Sequence, residues 1–184
     1  MKKRYIVLLV FILLVAGLLA WRLWPRDLSS LLPEDAYAFT CFDALATDIV
    51  YTGSSADFRT FRLEDGAQTD GVAADLLDIL KTSDYRPAFR NLLPWTDGSV
   101  VGGNDYDGRS ATVHFYIVQD QTPRSFYIQF FGRSQVAISS GDDWGVYHAT
   151  NPETLTALVE YIHTHGKYEA AYVPFLSPAP KPSP

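Results

Sequence analysis

The chain has 184 residues, with 15 Lys and Arg against 21 Asp and Glu, and 47% of its side chains are hydrophobic. That length fits one domain with appendages, and a core of such a size needs neither a disulfide nor a metal to fold. Cys41 is the lone cysteine, so an intrachain disulfide framework is excluded, and its ordinary role is that of a small hydrophobe in a strand.

Met1-Lys2-Lys3-Arg4 precedes an uncharged run from Tyr5 to Trp21. As a helix that run is about 25 Å long, and a snorkelling Arg22 followed by Leu23-Trp24 brings it close to the span of a bilayer core. Trp21 and Trp24 are residues suited to the interface, and Pro25 ends the helix. Residues 1–24 are therefore predicted to be a signal anchor that crosses the membrane through residues 5–24. The basic cluster keeps the N-terminus cytoplasmic and the domain extracytoplasmic. The alternative is a cleaved signal peptide, with small residues at Val15-Ala16-Gly17, which would release a secreted domain.

Residues 25–33 read as a linker, 34–172 as the domain and 173–184 as a disordered tail, because Pro174, Pro178, Pro180, Pro182 and Pro184 forbid helix and central strand. Without Lys2, Lys3, Arg4 and Arg22, eleven basic side chains face 21 acidic ones, a balance of −10. Such a domain repels nucleic acid and anionic head groups, so neither is expected as a partner.

Within the domain, residues 36–42, 48–52 and 57–63 have strand composition, with a turn at Gly53-Ser54-Ser55. A helix is expected from Thr69 or Asp70, carrying Val72, Leu76, Leu77, Ile79 and Leu80 on one face. A second, short helix is expected from Tyr85 to Leu93, with Pro87 in its first turn. Loop residues follow to Gly108. Four strands, 111–118, 125–131, 134–139 and 144–149, are joined by short connections, which force antiparallel neighbours and predict a meander. A last helix, Asn151 to His165, carries Leu155, Leu158, Val159 and Ile162 on one face and stops at Gly166. The fold class is α+β, an antiparallel sheet packed by two or three helices.

Chemistry is sparse. His163 and His165 point apart on a helix, and no Cys or His pair has zinc-like spacing, so no metal or other cofactor is predicted. Asn104-Asp105-Tyr106-Asp107-Gly108 fails the calcium-loop spacing, with Tyr116 where a glutamate is required, and reads as Asx-Gly turn chemistry. There is no nucleophile elbow and no phosphate-binding glycine loop, so no catalytic residue is assigned.

Two groups of residues are candidate ligand-binding positions. Arg86 and Arg90, four apart on the expected helix, would share a face and clamp an anion. On the strands, Val113, Phe115, Ile117, Phe126, Ile128, Phe130, Val136 and Ile138 form one apolar face. His114, Tyr116, Tyr127, Gln129 and Phe131 fall opposite, with Tyr147 assigned to the same side. That second face, aromatic with polar handles, is either covered or used for binding. The leading expectation is a non-catalytic envelope module that binds an envelope protein, a peptide or a wall glycan. The alternative is a small envelope hydrolase acting on a wall glycan or peptide.

Overall fold

The computed structural model describes residues 2–32, 41–52, 55–64, 71–92, 107–119, 122–140 and 143–169. The architecture is α+β. One sheet of eight antiparallel strands runs β3-β7-β6-β5-β4-β1-β2-β8. Its strands are β1 (Cys41–Thr52), β2 (Ser55–Glu64), β3 (Tyr85–Pro87), β4 (Arg109–Gln119), β5 (Thr122–Phe130), β6 (Gln135–Ser140), β7 (Asp143–Ala149) and β8 (Lys167–Glu169). Helix α1 (Lys2–Arg22) precedes the sheet. Helix α2 (Val72–Leu80) follows β2, and α3 (Glu153–His165) follows β7.

Alternation along the strands builds one buried face. Phe42, Ala44, Ala46, Leu63, Ala111, Val113, Phe115, Phe126, Ile128, Phe130, Val136 and Ile138 form a single core with Leu155, Leu158, Val159 and Ile162 of α3 and Leu76, Leu77 and Leu80 of α2. The alanines of β1 lie where α3 crosses the sheet, and their small side chains let the helix approach closely. Tyr161 of α3 donates to Asp75 of α2 at 2.7 Å, fastening the two helices together. Burial and that hydrogen bond together push the Tyr161 phenol up to about 12.

Several expected elements take another form. Of the segments read as strands at 36–42 and 48–52, residues 36–40 lie outside the described residues, while 41–42 and 48–52 belong to the single twelve-residue β1. Pairing with β2 on one side and β4 on the other carries Ala44-Leu45-Ala46 through as strand despite its modest β propensity. Thr69 and Asp70 lie outside the described residues, and α2 begins at Val72 behind Gly71, whose φ of 89° suits glycine.

The helix expected from Tyr85 to Leu93 is absent. Tyr85–Pro87 is an edge strand and Phe89–Leu92 a turn of 3-10 helix. Pro87 lacks an N–H, which an edge strand tolerates. The buried Tyr85 hydroxyl donates to the Leu80 carbonyl at 2.7 Å, and burial raises its pKa well above the ordinary phenol value. Beyond β3, Asn91 continues the pairing with its side chain. Its amide donates to the Val146 carbonyl at 2.6 Å and accepts from the Val146 N–H at 3.1 Å.

The segment read as a linker is docked on the domain. Arg26 and Tyr85 exchange two main-chain hydrogen bonds, at 3.0 and 2.7 Å. Leu28 begins a 3-10 turn capped by Asp27 and is buried in the core beside Tyr85. Helix α1 itself contributes nothing to that core. Its stretch Arg4–Arg22 has a mean hydropathy of 2.4 and is wholly unburied, so it is long and apolar enough to cross a membrane or to act as a signal. The Pro-rich segment 173–184 lies outside the described residues.

Candidate functional site

The face opposite the core begins with register. Pairing of β1, β4, β5, β6 and β7 places Asp43, His114, Tyr127, Ser139 and Trp144 in one row across five strands. The next row holds Leu45, Thr112, Gln129, Ala137 and Val146. These positions share a face because strand side chains alternate.

Four of the predicted site residues meet here. The His114 ring lies 5.4 Å from that of Tyr116 and 6.1 Å from that of Tyr127, so the imidazole sits between two phenols. Tyr116 is paired with Ser125 and Tyr127 with His114, which makes the two tyrosines diagonal rather than direct neighbours. The Tyr127 hydroxyl donates to Gln129 Oε1. Burial raises the Tyr127 pKa and outweighs a hydrogen bond from Thr112, so the phenol is neutral across the physiological range. All four side chains are half-buried.

Arg86 and Arg90 do not join them. Arg86 pairs with His148 on β3, three strand spacings from β5, or about 14 Å. Arg90 lies in the following 3-10 turn. With no helix there, the two arginines lose the shared helical face that the four-residue spacing implied.

Sequence alternation missed two members of the aromatic face and misplaced one. Trp144, 43% exposed, ends the row that holds Tyr127. Thr112 lies directly opposite Gln129. Tyr147 belongs instead to the core side, opposite Val136 and packed against the buried cluster. The segment Trp144-Gly145-Val146-Tyr147 has apolar residues in both phases, and only the pairing with β6 decides between them. The charged end of the face is held by Arg62, whose guanidinium meets both Asp43 carboxylate oxygens at 3.0 Å and Glu64 at 2.8 Å. These bonds, led by that to Asp43, raise the Arg62 pKa.

A polar cluster lies at the rim of the core side. His163 Nε2 approaches Asp48 Oδ2 at 3.1 Å, and the Phe61 ring stands 4.0 Å from the imidazole. The contact fixes the last turn of α3 over β1. Nearby, Asp107 accepts from Arg109 at 2.7 Å and from Arg133 at 2.9 Å. It also accepts from the Arg109 N–H at 3.2 Å, closing an Asx turn. Gly108 follows it at φ 91°, and a Cβ there would meet the Ile49 carbonyl oxygen at 3.1 Å. Residues 104–106 of the predicted turn lie outside the described residues. Among the described residues no group of three His, Cys, Asp or Glu side chains is placed to hold a metal ion.

No protein-family model, curated protein or solved structure matches the chain.

Proposed function

We propose that the chain is a membrane-anchored extracytoplasmic binding module of the cell envelope. Helix α1 holds it in the membrane with its N-terminus cytoplasmic, and the sheet face around His114, Tyr116, Tyr127 and Gln129 contacts a wall glycan. One observation carries this reading. An imidazole flanked by two phenols, next to an amide and a threonine hydroxyl, forms an aromatic strip with polar handles on a paired sheet. Sugar rings present apolar faces bordered by hydroxyls, which such a strip matches with flat rings and mixed donors and acceptors. A peptide adding itself as a strand would need a free edge, whereas β4 and β5 are paired on both sides. Recognition in the middle of the sheet therefore falls to side chains.

The test is cosedimentation of the detergent-solubilised chain with purified insoluble wall glycan. The double variant Tyr116→Ala, Tyr127→Ala should lose about tenfold in retention, as truncation of aromatic anchors does. Equal retention of the two proteins, or none by the parent, would remove the reading. For the topology, a reporter joined after Leu63 should be active outside the cytoplasm, and activity confined to the cytoplasm would reverse it.

A further inference from the structure

The end of helix α1 meets the domain in a cleft of about 250 Å³ lined by Arg22, Arg26, Pro87, Asn91, Leu92 and Tyr147. We infer that this cleft takes the phosphate of an anionic phospholipid from the bilayer that α1 crosses, an assignment that rests on the proposed membrane anchor.

Level in the membrane is the first argument. The stretch Arg4–Arg22 is 19 residues long, and at helical rise that is about 28 Å, the thickness of a bilayer core. Arg22 then falls at the head groups. Trp21 and Trp24, 68% and 69% exposed, bracket it as interfacial indoles do. The turn that carries Asn91 and Leu92 also carries Phe89, a large apolar side chain that is 61% exposed beside this cleft. Continuity with the helix end, together with exposed aromatics at the same level, gives the domain's base the composition of a membrane-facing surface.

Charge is the second argument. Among the described residues neither Arg22 nor Arg26 is in an ion pair. The nearest acid in sequence, Asp27, turns its carboxylate onto the Ser29 hydroxyl and the Ser30 N–H. The carbonyl end of α1 contributes about half a negative charge, which two guanidinium groups outweigh. Salt screens the acidic balance of the whole chain beyond about 8 Å. A head group in the cleft thus meets local positive charge, contrary to what the total composition implies. Main-chain bonds between Arg26 and Tyr85 fix the backbone that carries one of the arginines, so no backbone freedom need be lost there on binding.

The experiment uses the full chain. Flotation with phosphatidylcholine vesicles first establishes that the protein is membrane-bound. In detergent, native mass spectrometry then counts retained phosphatidylglycerol against phosphatidylcholine. The parent should retain the anionic lipid in about tenfold preference, the effect of one or two charge-assisted hydrogen bonds. Arg22→Gln with Arg26→Gln should abolish the preference and still float. Arg59→Gln, an exposed arginine on β2 far across the sheet, should leave it intact. A chain that does not float overturns the anchor and this inference with it. A chain that floats but retains both lipids alike overturns the inference alone. Displacement of the lipid by an equal concentration of inorganic phosphate would assign the cleft to a free anion and also overturn it.

Discussion

The two faces of the sheet are made by the same strands, residue by alternate residue, and they differ in what surrounds them. On the core side Phe115, Phe126 and Phe130 are fully buried under α2 and α3. On the other side His114, Tyr116 and Tyr127 are half-buried, the imidazole lies near both phenol rings, and the Tyr127 hydroxyl donates to Gln129. Large buried side chains are concentrated on one face, so that face is expected to carry most of the stability. The largest expected effect tests that division directly. Phe126→Ala should cost about 4 kcal/mol in chemical denaturation, the cost of a cavity in a core that helices and sheet enclose. A loss below about 1 kcal/mol would show that the face under α3 is not the main store of stability.

Leu28 extends the comparison beyond the sheet. It lies in the segment that leaves α1, yet it is as buried as the strand residues of the core. Leu28→Ala should therefore cost about 3 kcal/mol. A domain that begins at residue 32 should be weakened further than the point variant, because it also loses the Arg26–Tyr85 bridge. Equal stability of proteins starting at residues 26 and 32 would return the segment to the role of a passive linker.

How much of this was legible in the sequence follows the same logic. Period-two alternation in 111–131 marked Val113, Phe115, Phe126, Ile128 and Phe130 for one face, and all are buried. The stripe Leu155, Leu158, Val159 and Ile162 marked the buried side of α3 in the same way. Where the local pattern was mute, long-range pairing decided. Tyr85-Arg86-Pro87 has no strand alternation, and its partners, Arg26 and β7, are distant in sequence. Lys167–Glu169 is too short to show a period, and Phe61 and its neighbours on β2 recruit it as an edge. The cluster of His114 with both tyrosines was readable as a shared face. Its Trp144 was not, because a four-residue apolar run hides its phase. The cleft at Arg22 and Arg26 joins a helix end to a turn more than sixty residues later, and no spacing in the sequence signals it.

The aromatic pair sets the next size of effect. Tyr116→Ala with Tyr127→Ala removes two rings that are only half-buried, so the double change should cost about 2 kcal/mol, less than Phe126→Ala alone. A loss of several kcal/mol would make this face a second core, and the proposed glycan contact would fall with it.

The smallest effect lies at the rim, where the core face turns polar. The Asp107 carboxyl is pulled up by burial, but hydrogen bonds from Arg109 and Arg133 outweigh that pull and hold it below the ordinary value of 3.8. A carboxyl whose pKa is depressed by folding stabilises the native state above its unfolded pKa. That contribution is fully present at neutral pH and is lost as the pH falls below about 4 towards the folded value. Asp107→Asn should thus cost about 1 kcal/mol at pH 7, and the gap between parent and variant should close on acidification through that window. Arg109 is the stronger of the two partners, because its side chain is 30% exposed while that of Arg133 is 57% exposed. Solvent screens the second pair more, so Arg133→Gln should change stability less than Arg109→Gln. Urea denaturation of the three variants at pH 7 and pH 3 separates these outcomes. A gap for Asp107→Asn that is the same at both pH values would show that its role is the neutral Asx turn at Gly108, with no contribution from its charge.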